Sequence, residues 1–394
     1  MPSRRTPASS RTARTARTSG EARSLRFPGS RRTLRTTLAG AAALTATALL
    51  ATACTSNAAS PSGSAGGGDA GGKQTITFMG FYGTFQDSFT KTVIKPFEKA
   101  NPGITVKYLP IQNSAEVLAK LRASSARPVA DVSLMDSSVA PTANKEKLFA
   151  PLDESKVPNL ARLVDTAKSP DGYGPGVTFD SLSILYNSKK VKKAPTSWND
   201  LWDAQYKGKL AMPIADTRGV ALIIALEKIL GGDYKKDIDP AIAKLKQLSP
   251  AVQTWQPSPD VYTAIQSGDA DIAVGWNARG QYYKDASQGV VQPVLPKEGT
   301  VTQINTINLV NNSRHTAAAQ KFIDYAIGAE AQKAFDDEAF YAPVNKDVEL
   351  AAGTKERTTA SAEQQKHQIP VDWRWLTTRY TGWVDRIKQE VIGG

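Results

Sequence analysis

The sequence predicts an α/β fold, with largely parallel sheets flanked by helices and the chain divided into two lobes. Three observations carry that expectation. From residue 74 onward, short β-branched and aromatic runs alternate with longer stretches of helical period. Turn residues such as Asn101, Pro102 and Gly103 stop the helices between them. Roughly 320 residues of this kind exceed what a single hydrophobic core ordinarily serves.

Taken in order, Gln74 to Met79 is a β-type run, a helical stretch leads to Ala100, and Ile104 to Tyr108 is a second strand. Ser114 to Ala123 has a helical period, and Asp131 to Met135 is a third strand ending at Asp136. The alternation continues through Leu182 to Tyr186, Trp198 to Trp202 and Lys209 to Met212, then a long apolar helix at Val220 to Leu230. Pro240 to Leu248 and Val261 to Ser267 are helical, Ile272 to Gly275 is a strand, and another lies near Ile304 to Val310. Helices at His315 to Ile327 and Glu330 to Asp337 follow. No internal repeat interrupts this order.

The composition, 41% apolar and 22% charged, belongs to a globular chain. Its formal charge of +12 is local: ten arginines stand against the single acid Glu21 before Thr36, which leaves the folded part near neutral. Leu38 to Ala53 follows, an uncharged run of 16 residues, short for a membrane-spanning helix and fitting the apolar part of a signal peptide. That context excludes a nucleic-acid arm and predicts export. One cysteine excludes a disulfide framework, and two histidines, His315 and His367, leave little for imidazole chemistry. Ser56 to Gly72 is rich in Gly, Ser and Ala and reads as a flexible linker.

In open α/β sheets, ligands bind beyond the carboxyl ends of the strands. The segments expected to converge are Phe81 to Phe85, Asp136 to Ser138, Thr178 to Ser181, Asp216 to Gly219, Trp255 to Asp260, Trp276 to Arg279 and Gln303 to Asn305, all read as loops. Tyr82, Phe179, Trp255 and Trp276 are the aromatic candidates. Gly83, Asp136, Ser137, Asp180, Asp216, Arg218, Asn277, Arg279 and Asn305 are the polar and backbone candidates. Phe81 and Trp202 are expected to pack in the core.

Four stretches resemble the solute-binding proteins of ABC importers, of the spermidine/putrescine-binding type and its relatives for other amines, iron and phosphonates. They are PTSWNDLWDAQYKGKLAMPIADTRG (195–219), GDADIAVGWNARG (268–280), LPKEGTVTQINTINLV (295–310) and FYAPVNKD (340–347). Leu50 to Cys54, LATAC, resembles a lipobox, with Ala51 where the strongest examples carry Leu, and implies lipidation of Cys54. Ser30-Arg31-Arg32-Thr33-Leu34 resembles a twin-arginine motif; the general secretory route remains the alternative.

The resemblance implies a type II periplasmic-binding-protein fold whose two lobes close on a solute in the cleft between them. It sets a signal peptide at 1–53, a lipidated cysteine and linker at 54–72, lobe one at 73–182 and 303–345, and lobe two at 183–302. A C-terminal helical segment at 346–394 packs across the lobes. Trp373, Trp375 and Trp383 either bury against the domain or contact a permease. The implied partners are a small-molecule solute, an ABC permease with its ATPase, and the outer face of the cell membrane through the lipid. The chain is expected to be a monomer without cofactor, metal or catalytic residues.

Polyamine binders of this family surround protonated amines with carboxylates. The resemblance carries one of these onto Asp216, which is retained, but a second falls on Gly219 and a third on Asn305. Arg279 stands where relatives have a small or neutral residue. These departures favour a zwitterionic or singly charged amine, such as an amino-acid derivative, over a di- or tri-amine. Two alternatives stay open: Arg279 faces solvent or pairs with Asp216 or Asp271, and Asp216 with Arg218 is a turn brace. Tyr282 and Tyr283 resemble the paired tyrosines of ferric-binding relatives but fall about six residues late. An exported hydrolase is the competing class; it would need His315 or His367, and neither G-x-S-x-G nor H-E-x-x-H occurs.

Overall fold

Strand β1 (Gln74–Phe81) runs into a helix made of α1 (Thr84–Phe89), a π-helical turn (Thr90–Ile94) and α2 (Lys95–Ala100). β2 (Ile104–Ile111), α3 (Ser114–Ala123), β3 (Val132–Asp136), α4 (Ala140–Lys145) and β4 (Phe149–Ala150) complete the first part, and β5 (Gly176–Asn187) leads away from it. β6 (Leu210–Ala211), α5 (Thr217–Ile229), α6 (Asp239–Leu248), β7 (Val252–Thr254), α7 (Val261–Ser267), β8 (Ile272–Trp276), α8 (Asn277–Ala286) and β9 (Val291–Val294) form the second. β10 (Thr300–Val310) returns, followed by α9 (Thr316–Ala326), α10 (Ala329–Ala339), α11 (Ala352–Lys355), α12 (Ala362–Lys366), β11 (Gln368–Ile369), α13 (Trp373–Thr377) and α14 (Tyr380–Arg386). The structure, a computed structural model, describes residues 73–169 and 171–394. The expected signal segment, Cys54 and the linker to residue 72 lie outside the described residues.

The strands form one mixed sheet in the order β2-β1-β3-β10-β5-β8-β6-β7, with β4 and β11 on β10 and β9 on β5. Pairing is parallel within each lobe, β1 with β2 and β3, β6 with β7 and β8. It turns antiparallel at β10 and β5, the two strands that pass between the lobes. Their middles were expected as loops. Thr178 to Ser181 instead pairs with Asn305 to Thr302, residue for residue. Three of the polar side chains that disguised the crossing, Asp180, Gln303 and Asn305, line the cleft, where a strand needs no apolar alternation.

Side-chain alternation sorts each lobe's core onto two faces of the sheet. In the first lobe Ile76, Phe78, Leu134 and Ile307 pack on one face, and Met79, Met135 and Val310 on the other. In the second, Leu210, Ile184 and Ile272 oppose Ala211, Leu185 and Ala273. The middle of helix α5 lies inside, with Val220 through Leu226 at 1% exposure or less, so its all-round apolar sequence there matches its position. The Trp-x-x-x-Trp stretch is architectural. Ser197 and Asp200 form a capping box, Trp198 is fully buried and donates its indole N–H to the Gly299 carbonyl at 2.9 Å, and Trp202 donates to Lys244.

The C-terminal segment is drawn into the second-lobe core through Trp373, Leu376, Trp383, Val384, Ile387 and Val391. It also reaches the first lobe, where α13 touches α4 and Arg374 pairs with Asp171. Trp375 is half-buried under the Arg379 guanidinium, 3.9 Å from its ring centroid.

Candidate functional site

Where β5 and β10 cross, a cleft of about 550 Å³ opens between the lobes. Its floor is the crossing itself, which contributes Asp180, Gln303 and Asn305. One wall comes from the ends of β1 and β3 with Tyr82 and Asp136. The facing wall comes from the start of α5, the 255–262 segment and the β8 to α8 junction.

Asp216 is the N-cap of α5. Its carboxylate accepts the Arg218 backbone N–H at 2.9 Å and the Arg218 Nε and Nη2 at 3.0 and 2.6 Å. This is the turn brace left open by the sequence, and it engages both oxygens of the carboxylate expected to hold an ammonium. Burial opposes the Arg218 charge, but the touching Asp216 carboxylate more than compensates and holds the guanidinium firmly protonated. Arg218 Nη1 carries no hydrogen bond among the described residues.

Arg279 pairs with neither Asp216 nor Asp271; the latter faces Lys209 at 3.2 Å. Its Nη2 donates to the Tyr82 carbonyl across the cleft at 3.1 Å, and Nη1 lies 4.0 Å from Asp260. The guanidinium sits between the rings of Tyr82 and Tyr262, 5.6 and 5.5 Å from their centroids. Tyr262 in turn fixes Trp276, its hydroxyl accepting the Trp276 N–H at 2.8 Å and donating to the Trp276 carbonyl.

Two carboxyls are buried at the crossing. Burial pushes Asp180 up to about 7, against the pull of the Ala278 and Ser181 amides that donate to it and of Arg279. Burial pushes Asp136 up to about 6, against hydrogen bonds from Thr217, Ser114 and Gln303 and with the Asp216 charge adding to the rise. The Thr217 bond, 2.8 Å to Asp136 Oδ2, joins the two lobes.

Nine of the thirteen expected binding residues line this cleft: Tyr82, Asp136, Asp180, Asp216, Arg218, Trp255, Trp276, Arg279 and Asn305. Gly83 adjoins it at φ +75°, beside the Arg279 guanidinium. Ser137 and Phe179 are corrections to the expected set. Phe179, strand-alternate to Asp180, and Ser137, just past the end of β3, instead line a separate concavity of about 1160 Å³ behind the crossing. That concavity is larger, but its Arg374 and Asp171 are exposed, whereas the cleft holds the largely buried Arg218, Arg279, Asp136 and Asp180. Asn277 is also corrected: it is buried, donating to the Arg357 carbonyl and accepting from Gln281.

The sequence did not single out Thr217, Asp260, Tyr262, Gln303, Tyr341 or Tyr380, which also line the cleft. Thr217, Asp260 and Gln303 lie inside segments it flagged. Tyr341 lies in the FYAPVNKD stretch, and Tyr262 sits within the α7 period. Tyr380 had no local signal. Asn305 donates to Thr178 and accepts from Gln303, and a Cβ at Gly219 would run into the Ile214 carbonyl oxygen. His315 pairs with Asp131 and His367 with Glu363, both away from the cleft. Tyr283 stacks on Tyr262 at 5.3 Å, and among the described residues no cluster of His, Cys, Asp and Glu is arranged to hold a metal.

Comparison with known proteins gives this geometry its context. The family model described as bacterial extracellular solute-binding protein matches residues 92–362. The gamma-aminobutyric acid-binding protein of Pseudomonas aeruginosa is 25% identical over 282 residues, covering 69% of this chain and 78% of that one. The spermidine/putrescine-binding periplasmic protein of Escherichia coli is 25% identical over 240 residues, 59% of this chain and 68% of that one. Among solved structures, an ABC transporter protein from Clostridium perfringens superposes with a TM-score of 0.64 at 28% identity, covering 80% of this chain and 99% of that one.

Proposed function

The chain belongs to the bacterial extracellular solute-binding protein family, and from that premise we propose that it is the capture component of an ABC importer for a small amine that also carries an anionic group. The observation that carries this reading is the convergence of two guanidiniums, Arg218 and Arg279, with two buried carboxyls, Asp136 and Asp180, on one small aromatic-lined cleft. A guanidinium pair attracts a carboxylate or phosphonate and repels a second ammonium. An ammonium group desolvated in the same cleft requires a carboxylate partner, which the crossing strands supply. Trp255 and Trp276 offer flat apolar faces to the methylenes between the two charged ends. The names of the relatives, for gamma-aminobutyric acid and for polyamines, bracket this class.

Capture follows from differential stabilisation. The solute touches both lobes only when they are together, so binding shifts the hinge equilibrium toward closure. We assign lobe one to 73–182 with 303–345, lobe two to 183–302, and the bridging C-terminal segment to 346–394. The closed form docks on the permease, the ATPase supplies the energy, and the binding protein carries out no bond chemistry. Export by either the twin-arginine or the general secretory route, lipidation at Cys54 and the 55–72 linker keep it at the outer face of the membrane as a monomer.

Titration calorimetry with 4-aminobutyrate, 2-aminoethylphosphonate, putrescine and spermidine tests the charge argument. One of the two anionic amines is expected to bind tightly and the polyamines weakly. Tight binding of spermidine alone refutes it.

A further inference from the structure

The hydrogen bonds at the cleft continue past it into the C-terminal helix. Asp136 ends β3 in the first lobe, its Oδ1 accepting from Gln303 Nε2 at 2.6 Å and its Oδ2 from Thr217 Oγ1 at 2.8 Å. Thr217 opens α5 in the second lobe, and its Oγ1 lies 3.0 Å from the Tyr380 hydroxyl at the start of α14. Proton direction follows from the donor count: the threonine hydroxyl has one hydrogen, which the carboxylate receives, so Tyr380 donates its own to Thr217. The Tyr380 ring packs against the second-lobe core and also against the Met79 face of the first-lobe core. The same helix adds Thr381, Val384 and Asp385 to the cleft lining.

We propose that the C-terminal helix is a third wall of the solute cleft, and that Tyr380 is its positioning residue, fixing the Thr217 hydroxyl for the bond to Asp136 that holds the lobes together. A threonine hydroxyl at the first turn of a helix turns freely between water and nearby carbonyls. Donation from Tyr380 occupies one of its lone pairs, aims its hydrogen at Asp136 and polarises it, which strengthens the next bond in the chain. When the lobes part, the Thr217 to Asp136 bond breaks. Tyr380 and Thr217 both belong to the second-lobe side and keep their contact. Tyr380 therefore weights the closed arrangement whatever the solute, and the inference takes from the proposed function only the hinge motion.

The test is electron–electron distance measurement between spin labels at Lys107→Cys and Lys193→Cys, exposed positions on the two lobes, in the full chain carrying Cys54→Ser and without solute. The parent is expected to show a closed population. Tyr380→Phe lowers the closed-to-open ratio about fivefold, the change that one net hydrogen bond corresponds to. Thr217→Val lowers it at least as much, and adding Tyr380→Phe to Thr217→Val changes it by less than about twofold, because the chain is already cut. The proposal is overturned if no closed population exists, if Tyr380→Phe leaves the ratio unchanged while lowering only the melting temperature, or if it acts equally in both backgrounds. If the variants shift the ratio as expected but none of the four amines does, the solute assignment fails and the role of Tyr380 stands.

Discussion

Asp180 offers a quantitative handle on the site. It sits at the crossing of β5 and β10, 5% exposed, with Oδ1 accepting the amides of Ser181 at 2.7 Å and Ala278 at 2.9 Å. Burial raises its carboxyl from the ordinary 3.8 to about 7. A group that holds its proton more tightly folded than unfolded favours the native state at low pH. That contribution is complete below about pH 4, is lost as pH rises toward 7, and is absent above. At about 1.4 kcal/mol per pH unit, the span amounts to about 4 kcal/mol. Asp180→Asn removes the titration and keeps one acceptor for the amides. The unfolding free energy of the variant, less that of the parent, is therefore expected to climb by about 4 kcal/mol between pH 4 and 7 and then level off. Urea unfolding followed by circular dichroism at half-unit pH steps measures the difference, in which all other titrating groups cancel. A flat difference curve across that window refutes the reasoning, since it would mean the carboxylate is fully compensated in the folded chain.

Two further outcomes probe the charge balance. Arg279→Gln removes a guanidinium that faces the cleft between Tyr82 and Tyr262, so affinity for whichever anionic amine binds is expected to fall between about tenfold and a hundredfold by calorimetry, with little change in melting temperature. Unchanged affinity would remove Arg279 from the solute's anionic end. Gly219→Asp introduces the acid that the resemblance to polyamine binders implies at this position, but its Cβ meets the Ile214 carbonyl and comes within 2.8 Å of Ile387 Cδ1. It should lower stability by about 2 kcal/mol without conferring spermidine binding, and a variant of full thermal stability that binds spermidine would contradict this account.

Elements whose ends carry their own chemical stop were legible from the sequence. The expected bounds of α3 and α7 coincide with the observed ones, because Asn113 and Asp260 cap them with side-chain oxygens accepting from Glu116 and Thr263. Helix α8 was not legible. Its buried Asn277 and Gln281 are satisfied by Arg357, about 80 residues away, so its inward face reads as polar. The crossing strands failed for the same reason, since Asp180, Gln303 and Asn305 are buried through one another and through the opposite lobe. Phe179 and Ser137 show a finer limit. Sequence placed them in segments that do reach the crossing, but which side chains look into the cleft is decided by how the lobes meet.

Asp216 joins these observations. The resemblance to polyamine binders implies an ammonium anchor at this position; in the structure Asp216 is an N-cap whose two oxygens are taken by Arg218, two residues on. A carboxylate already neutralised by a guanidinium offers an incoming ammonium little, unlike one held only by neutral donors, while Arg218 keeps Nη1 without a hydrogen-bond partner among the described residues. On the proposed reading, the Asp-x-Arg turn therefore presents the solute with a guanidinium rather than a free carboxylate. Gly219 fits the same arrangement: the first turn of α5 approaches the Ile214 carbonyl so closely that no side chain, acidic or otherwise, has room there. On the proposed reading the amine is left to the two carboxyls at the crossing, Asp136 and Asp180, which burial raises to about 6 and about 7 and which a bound ammonium would ionise fully. Solute uptake should then release protons, an effect that vanishes well above pH 7, grows as pH falls through 7 and 6, and is measurable as a buffer-dependent binding enthalpy. An enthalpy independent of the buffer's ionisation heat would return the amine to some other partner.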